Sequence, residues 1–555
     1  SACNFAPKHS TPDMALPSNW RVDNEGGDTL ANSNWWMLLE DEVLNEYIQT
    51  ALQNNKDLKI AIWRVSEYLA QYQVVRSSLF PQLQLNSSAV RERFPIDLDF
   101  LPANVSPVTS DFHLDMSLSY EFDFWGKIRN ETSASYSQYL AQVENRRTVV
   151  LTLVGSVAQA YVYLTQLDAQ LKLAKDIMGS FKQSLEIATY RFEGGITSKI
   201  EVDQALSVYE ESAAIVEKLE MQVPQQENLL CVLLGETPHS IKRGKTLNQL
   251  TLPGITPTGQ PQDLLTRRPD ILAAENNLKA ANANIGVARA AFFPQLSFST
   301  LFGYDSLQLR KLFAKNSQTW IIGGNLLQQV FTGGALVGQL NMAKAEKQEL
   351  LFQYEQTILK ALQEVNNALI GVQQSQKVFK ANTREVAALK DYLALSWERY
   401  YEGQTQYLTV LDAERKVLSV ELDTTAAQAD QFLELIDLYK SLGGGWVLEE
   451  ERMVQSSGKM VFIRFLRYFF KGFLSLRYQI TVKGFKDIKS LKGRKPGVLF
   501  LPNHPAVIDP VILMTIIAPD FFPKSLIAED FYLKSFQKFL NFFRVVPIPN
   551  VEEKI

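Results

Sequence analysis

Two long stretches of the sequence, residues 127–188 and 334–398, contain no proline and fit a helical pattern. At about 1.5 Å per residue, the second stretch would form a helix roughly 95 Å long. A lone helix of that length is not stable in water, because most helical stability comes from packing against a partner. After each stretch come a glycine-containing loop and a second helical pattern, at 192–199 with 200–234 and at 401–407 with 408–442. The sequence therefore predicts two long antiparallel hairpins, 127–234 and 334–442, that pack as coiled coils do.

An internal duplication accounts for the two hairpins. The tetrapeptide Phe-Pro-Gln-Leu stands at 80–83 and again at 293–296, an offset of 213 residues. Four more identities keep that offset, namely Asp57 with Asp270, Ala61 with Ala274, Ala70 with Ala283 and Arg76 with Arg289. A second block, offset by 209, pairs Glu193, Gly194 and Asp203 with Glu402, Gly403 and Asp412. Two ordered blocks at nearly one offset indicate a repeated unit of about 210 residues, much longer than a solenoid repeat. We assign the two units to 43–255 and 256–446.

Each unit starts with a helical pattern and continues with strands. The helical patterns, 43–78 and 262–291, end at the Phe-Pro-Gln-Leu blocks, because proline lacks a backbone donor and disfavours helix at the residue before it. Strand patterns follow at 82–92, 112–124, 295–305 and 318–331. In 112–124 seven apolar residues alternate with six polar ones, so one face of this strand is apolar and the other is wet. Its aromatic residues concentrate towards one end, as at a membrane interface.

The number of strands constrains the assembly. The sequence has no uninterrupted apolar run of the roughly 20 residues that a spanning helix needs, so a polytopic helical membrane protein is excluded. Four strands cannot close a barrel, and an open sheet edge is not tolerated in lipid. Two chains would supply about eight strands around a filled interior, whereas three would supply about twelve and enclose water. We therefore expect a mainly α fold with a small β part, in which a homotrimer builds a 12-stranded β-barrel and a helical barrel.

Several motifs carry a family resemblance. They are Trp35-Trp36-Met37-Leu38-Leu39, Asn55-Lys56-Asp57-Leu58, both Phe-Pro-Gln-Leu blocks, Tyr120-Glu121-Phe122-Asp123-Phe124-Trp125-Gly126, Val330-Phe331-Thr332-Gly333-Gly334, Tyr401-Glu402-Gly403 with Val410-Leu411-Asp412-Ala413, and Leu442-Gly443-Gly444-Gly445-Trp446. On these motifs, residues 3–446 resemble the TolC-like outer-membrane factors of drug-efflux and secretion systems, especially the lipoprotein branch related to NodT. The resemblance implies a passive trimeric conduit for small-molecule export, with its barrel in the outer membrane and its helical tunnel in the periplasm.

By the same resemblance the ends of the two hairpins are 191–203 and 399–412, and they dock to a periplasmic membrane-fusion adaptor and an inner-membrane pump. The turns that the adaptor would grip contain Gly194, Gly195 and Gly403. Glycine permits the tight turns that such docking implies.

Four charged residues at these ends are candidates for the periplasmic aperture. Asp203 and Asp412 would form two rings of three carboxylates, held shut by pairing with Arg191 or Arg399. The alternative for the aspartates is an ordinary position in the first turn of a helix, where a negative charge interacts favourably with the helix dipole. The alternative for the arginines is a solvated helix end.

The N-terminal Ser1-Ala2-Cys3 looks like the end of a bacterial lipobox without its apolar stretch. Together with the resemblance, it makes Cys3 the expected lipidated residue of an N-terminal segment, 1–42, whose diacylglycerol would bind outer-membrane lipid. The alternative is an unmodified surface cysteine. Cys231 is the second cysteine, and two cysteines cannot form a disulfide framework or a Cys-rich zinc site. We expect no metal and no cofactor.

Charge is distributed unevenly along the chain. Residues 453–555 contain 16 basic and 7 acidic side chains, a net of +9, which leaves a net of −13 for 1–452. Such asymmetry indicates two pieces with different partners, and the acidic piece is not expected to bind nucleic acid. After a linker at 447–458, the stretch 459–471 is aromatic and basic, which suits the surface of an anionic membrane.

A second resemblance covers 459–555. An apolar strand pattern precedes His504 and Asp509, and this part resembles the glycerophosphate/lysophospholipid acyltransferases. The resemblance implies that His504 is the general base on a glycerol hydroxyl, with Asp509 orienting its imidazole. The alternative is a histidine and an aspartate at a turn. The family's downstream Glu-Gly block is missing, so we expect a truncated, inactive α/β domain.

Three functions remain under comparison. They are an efflux channel, a membrane-bound acyltransferase carried by the C-terminal domain, and a purely structural coiled coil. The alternating strands and the duplication argue against the coiled coil, and the channel accounts for most of the residues. An outer-membrane factor leaves its C-terminus in the periplasm, whereas acyl donors are cytoplasmic, so the location of the second domain, and whether it is a read-through product, stay open.

Overall fold

Two α-helices of 67 residues each are the longest elements of the computed structural model. The structure describes residues 4–8, 14–21, 34–93, 95, 108–253, 259–444, 526–528 and 546–548. The chain divides into two units, Ser1–Val447 and Leu448–Ile555. The first unit contains both repeats.

The described elements follow the predicted order in both repeats. The first repeat contains α1 (Glu42–Asn54), α2 (Lys56–Ser77), β1 (Gln82–Arg93), β2 (Val108–Phe122), α3 (Lys127–Glu193) and α4 (Lys199–Leu234). The second repeat contains α5 (Leu264–Arg267), α6 (Pro269–Ala290), β3 (Gln295–Ser306), β4 (Gln318–Leu327), α7 (Ala335–Tyr401) and α8 (Tyr407–Ser441). Short 3-10 helices lie at Trp35–Leu39, Leu247–Gln249, Pro261–Asp263, Leu309–Lys311 and Lys315–Ser317. The prediction of a mainly helical fold with a small antiparallel sheet is confirmed.

Several element boundaries differ from the predicted ones; β2, for example, runs from Val108 to Phe122 rather than over 112–124. The long helices α3 and α7 end three to five residues later than predicted. The helical pattern 43–78 is divided at Asn55, whose side chain accepts a hydrogen bond from Leu58 N at 3.0 Å and caps α2. The last strand, β4, ends at Leu327 rather than at 331.

The four strands form one antiparallel sheet in chain order, and its two faces differ in polarity. Register pairs Leu85, Met116, Phe302 and Trp320 side by side, and we call this set the apolar row. On each strand, a residue adjacent to the apolar row belongs to a second row, the polar row. This row contains Asn86, Asp115, Gly303 and Thr319. Neighbouring residues of a strand point to opposite faces, so one face of the sheet is apolar and the other polar. This arrangement agrees with the alternation in 112–124.

Within the polar row, Asp115 is buried against the neighbouring strand. Its carboxylate accepts a hydrogen bond from Asn86 Nδ2 at 3.0 Å and contacts the imidazole of His113. On the other side, a Cβ on Gly303 would lie 2.5 Å from the Asp115 Cα, so the close approach of β2 and β3 requires glycine there.

Helix α3 is the central helix of the first unit, because it packs against α2, α4, α6 and α8. Among the described helices it is the one that is long and apolar enough to cross a membrane by length and composition, with a mean hydropathy of 1.5 over its best window. However, 67% of that window is buried inside the protein. Burial among four helices is therefore a sufficient reason for its apolar composition.

The returning helix of each hairpin ends against the start of another helix. A Cβ on Gly235, just after α4, would lie 2.5 Å from Asn54 O, and Asn55 Nδ2 donates to Leu233 O at 2.9 Å. In the second repeat, Gly443 follows α8 and approaches Arg268, whose Nη1 donates to Ser441 O at 2.9 Å. We call these two contacts the end-to-end junctions.

In the second unit, the described residues form two short strands, β5 (Leu526–Ala528) and β6 (Val546–Ile548), paired in parallel. The predicted residues His504 and Asp509 lie outside the described residues, as does the linker 447–458.

Both hairpins turn through a Schellman motif, in which carbonyls of the last helical turn accept bonds from the two residues after the helix cap. The four bonds, 2.8–3.0 Å long, run from Gly195 N to Phe192 O, Ile196 N to Arg191 O, Gly403 N to Tyr400 O and Gln404 N to Arg399 O. The motif requires a left-handed residue, and φ is 71° at Gly195 and 75° at Gly403. The two turns are therefore equivalent at an offset of 208 residues, one fewer than the sequence block indicates.

Gly194 is in a different situation from the other two glycines of the turns. Its φ is −75°, which every residue adopts, so the turn itself does not require glycine at this position. A Cβ there would lie 3.3 Å from Tyr190 O, a tight contact rather than a clash.

We expect Gly195→Ala and Gly403→Ala each to destabilise its turn by about 1 kcal/mol, because alanine resists a positive φ. Gly194→Ala is the matched control and should change the stability by less than about half of that. Hydrogen exchange at the amides of Ile196 and Gln404 measures local opening in each variant. Equal protection in all three variants would contradict the assignment of the left-handed positions.

Candidate functional site

The candidate site lies where the ends of the two hairpins meet. Its apolar residues form one cluster, the tip core, which contains Phe181, Ala188, Ala205, Val208, Tyr400, Tyr407, Val410, Leu411 and Leu418. Its members come from all four hairpin helices, α3, α4, α7 and α8. The tip core therefore joins the ends of the two repeats within one chain.

The spacing of residues on α8 explains how this helix enters the tip core. Tyr407, Leu411 and Leu418 recur at intervals of four and seven residues, which places them along one face of the helix. Glu414 occupies the position between Leu411 and Leu418 on the same face. A carboxylate inside an apolar stripe is the signal that could have identified it, although the sequence did not lead us to predict it.

Glu414 is buried, with 6% of its surface exposed. Ser184 on α3 donates its hydroxyl to Glu414 Oε1 at 3.3 Å, and the Trp397 side chain also hydrogen-bonds to the carboxylate. Among the described residues, Glu414 Oε2 has no hydrogen-bond partner. Burial raises the pKa of Glu414 to about 7, and the bonds from Ser184 and Trp397 oppose that shift only in part. The group therefore changes charge near neutral pH.

Tyr400 connects the second hairpin to the first by two contacts. Its hydroxyl donates to Glu201 Oε2 at 2.8 Å, and the Arg191 guanidinium lies 5.0 Å from the centre of its ring, a cation–π distance. Burial first, and then the bond to Glu201, raise the pKa of Tyr400 to about 12. The hydroxyl is therefore a neutral donor at physiological pH.

The predicted aperture residues lie at the hairpin ends but do not pair with one another within the chain. Asp203, Asp412 and Arg399 are all exposed, and Asp412 forms a 2.7 Å ion pair with Lys416, one turn further along α8. Arg191 stacks on a tyrosine ring rather than on a carboxylate. None of the ion pairs among the described residues includes Asp203 or Arg399.

The two aspartates differ in position relative to their turns. Asp203 is the fifth residue of α4, whereas Asp412 is the sixth residue of α8. Because successive helical residues are about 100° apart around the axis, the two carboxylates leave their helices in different directions. This one-residue difference explains why the aspartate pair gives an offset of 209 and the turns give 208.

Cys3 lies outside the described residues, but the residues just after it are packed. Phe5 stacks on Phe293 with ring centres 4.6 Å apart, and its ring lies 6.2 Å from that of Trp125. Arg289 Nη1 donates to Phe5 O at 3.0 Å. Trp125 and Phe293 flank the ends of β2 and β3, so this segment is attached at the base of the sheet.

No group of three or more His, Cys, Asp or Glu side chains within the described ranges could hold a metal ion. Cys231, the other cysteine, is fully buried and free.

Comparisons with known proteins agree with this architecture. The family model described as outer membrane efflux protein matches residues 47–236 and 260–444. The toluene efflux pump outer membrane protein TtgC of Pseudomonas putida is 34% identical over 453 residues, which cover 80% of this chain and 93% of that protein. The outer membrane channel CmeC of Campylobacter jejuni aligns with a TM-score of 0.75 at 26% identity, over 81% of this chain and 96% of that chain. The open state of the outer membrane channel MtrE of Neisseria gonorrhoeae aligns with a TM-score of 0.72 at 29% identity, over 80% and 99%.

These findings confirm the TolC-like resemblance for the channel part of the sequence. The matched segments cover more than half of the 555 residues, and the chain therefore belongs to the outer membrane efflux protein family.

Proposed function

We propose that this protein is the outer-membrane channel of a tripartite efflux system, a passive conduit for small molecules. The observation that carries the proposal is the direct connection between a sheet with one apolar face and two 67-residue helices. Only short segments separate β2 from α3 and β4 from α7, so strands and helices continue as one wall. The names of the relatives support this function, since TtgC belongs to a toluene efflux pump and CmeC and MtrE are outer membrane channels.

The sheet edges favour a trimer. Strands β1 and β4 each have one side without a hydrogen-bonded neighbour in the described chain. Unpaired backbone groups are costly in lipid, so the sheet must continue into other copies. Three copies would give about twelve strands, enough for a water-filled interior. The apolar row would then face lipid, and the polar row would line the lumen.

Two adjacent isoleucines of β4 test this orientation. Ile322 lies on the face of the apolar row and Ile321 on the face of the polar row. Ile322→Lys should destabilise the membrane-inserted trimer by about 2 kcal/mol or more, because a lipid-facing charge is costly, whereas Ile321→Lys should leave the trimer intact. Chemical cross-linking of membrane-extracted protein measures the trimer.

Conductance in planar bilayers completes the test of the channel. The parent trimer should conduct, and Ile321→Lys should reduce its preference for cations by placing positive charge in the lumen. Cross-linking that yields only monomers, or a reversal of the effects of the two substitutions, would rule out the proposed barrel.

We also propose that Asp203 and Asp412 form carboxylate rings at the periplasmic aperture. Both side chains are exposed in the single chain, as lumen-facing residues must be. The ion pair of Asp412 with Lys416 is half exposed and therefore weak, so Asp412 remains available for other ions. Three chains would place up to six carboxylates around a narrow mouth, where charge strongly affects the local concentration of ions.

The double variant Asp203→Asn/Asp412→Asn should lower cation preference and weaken block by multivalent cations, with the trimer preserved. Single-channel recordings at low salt, where screening is weakest, give the reversal potential. Asp176→Asn/Asp391→Asn is the matched control, because it removes two exposed carboxylates from α3 and α7 away from the turns. If both double variants retain the parent's selectivity and block, the aspartates are ordinary helix residues and the channel has another aperture.

We propose lipidation of Cys3 as the N-terminal anchor. The packing of Phe5 against Phe293 and Trp125 supports it, because the base of the proposed barrel is where the inner leaflet of the outer membrane would lie. A diacylglycerol on the cysteine two residues earlier would hold this segment at the bilayer.

Cys3→Ser should abolish labelling of the protein by radioactive fatty acid, because the thioether cannot form. Cys231→Ser is the matched control and should label like the parent, since that thiol is fully buried. Autoradiography of the immunoprecipitated variants gives the result, and labelled Cys3→Ser protein would exclude the lipobox interpretation.

The hairpin ends are the proposed surface for a membrane-fusion adaptor and, through it, an inner-membrane pump. Large apolar side chains are exposed there, including Tyr190, Ile196 and Ile200 on the first hairpin and Tyr401 and Leu408 on the second. Exposed apolar side chains grouped around two rigid turns are typical of a protein interface.

The acyltransferase alternative rests on sequence resemblance alone. Its predicted residues, His504 and Asp509, lie outside the described residues, and the family match ends at residue 444. The parallel pairing of β5 and β6 is common to many α/β domains and does not select a function. The channel is therefore the function that we propose for the chain.

A further inference from the structure

Glu414 is a buried ionisable group at the contact between the two hairpins. It belongs to α8 in the second hairpin, whereas its hydroxyl partner Ser184 belongs to α3 in the first. The surrounding tip core is apolar, and 6% of the residue is exposed. A change in the charge of Glu414 therefore acts directly on the packing of one hairpin against the other.

The other ionisable groups of the tip core do not offset a negative charge on Glu414. Arg191 on α3 stacks on Tyr400 of α7, and Tyr400 in turn bonds to Glu201 of α4, which is itself an acid. On α8, burial first and then the charge of Glu414 raise the pKa of Tyr407, so that phenol stays neutral. No ion pair among the described residues includes Glu414, and its Oε2 has no hydrogen-bond partner there.

We propose that Glu414 is a protonation latch between the hairpins: the neutral carboxyl keeps α8 packed against α3, and release of its proton to water separates the hairpin ends. An uncompensated charge in an apolar contact is expensive, and separation of the helices returns that charge to water. This inference rests on the proposed channel function, because separation of the ends widens a conduit only if they surround it.

The direction of the pH effect follows from the two environments of the carboxyl. Its pKa is about 7 in the packed arrangement, against 4.5 for a solvated glutamate. Below pH 4.5 the carboxyl is neutral in both arrangements, and the packed one keeps its full stability. Between pH 4.5 and 7 only the separated arrangement ionises, so packing weakens progressively, and above pH 7 the loss is complete. A raised pKa of this size corresponds to a change of up to roughly 300-fold in the equilibrium between the arrangements, since each pKa unit is tenfold.

The distance between two spin labels, one on each hairpin, tests the latch, and double electron–electron resonance measures it. Spin labels at Ser198→Cys and Gln404→Cys, both exposed, would be placed in a Cys3→Ser/Cys231→Ser background. Trimers would contain one labelled chain among unlabelled chains, so that the distance is measured within one chain. We expect a short distance at pH 5 and a population of longer distances that grows up to about pH 7 and then stays constant, with a midpoint between pH 4.5 and 7.

Three variants decide the interpretation. Glu414→Gln cannot ionise and should keep the short distance at every pH, whereas Glu398→Gln, an exposed matched control on α7, should titrate like the parent. Ser184→Ala removes a bond that lowers the pKa of Glu414 in the packed arrangement, so packing should go on weakening above pH 7. Its population of long distances at pH 8 should therefore exceed the parent's, a result that does not depend on the assembly of Glu414→Gln. A distance that does not change with pH in the parent, a Glu414→Gln variant that titrates like the parent, or a Ser184→Ala population at pH 8 no larger than the parent's would overturn the latch.

Conductance of the same trimers separates this proposal from the channel assignment. A parent protein that conducts at all pH values with a constant spin distance contradicts the latch alone. A protein whose spin distance titrates as expected but which never conducts contradicts the channel and leaves the latch in place.

Discussion

The unpaired outer edges of the four-stranded sheet determine how the rest of the molecule has to be arranged. Strands β1 and β4 expose backbone donors and acceptors that lipid cannot satisfy. The same dependence on other copies continues along the helices, because α7 leaves Met342, Phe352 and Leu359 exposed over several turns. In the proposed trimer one chain is a segment of a wall, and its sheet and its helices need neighbours for different physical reasons, hydrogen bonding in one case and burial of apolar surface in the other.

Much of the fold could be predicted from periodicity. A helical pattern without proline over more than 60 residues predicts a long helix, and strict alternation in 112–124 predicts a strand with two unlike faces. The break at Asn55 was not predicted, because it depends on a side chain that caps one helix and bonds to the end of another, α4. The packing of Phe5 was not predicted either, since a short segment without periodicity gives no indication of its distant partners.

The location of the hairpin ends was predicted from the sequence, but the contacts between side chains there were not. The ends of the hairpins and the glycines of the turns follow from the duplicated blocks, yet the one-residue shift between Gly194 and Gly195 is visible only from backbone dihedrals. Within the single chain, Arg191 lies over the ring of Tyr400, which α7 carries into the tip core, and its pairing with a carboxylate of the aperture stays a prediction. Glu414 was not predicted because its burial depends on the first hairpin, whose Ser184 is more than 200 residues away in sequence.

The end-to-end junctions have a consequence for the length of the molecule. At Gly235 a Cβ would clash with Asn54 O, and at Gly443 it would lie in tight contact with Arg268 Cγ at 3.2 Å, so both junctions are closely packed. In the first repeat, α2 with 22 residues and α4 with 36 run alongside the 67 residues of α3, and a matching relation holds in the second repeat. An insertion in a long helix must therefore be balanced by an insertion in the shorter helices beside it, and in both repeats at once. In the proposed channel, the long helices therefore set a tunnel wall of roughly 100 Å, and its length changes when helical turns are added in parallel.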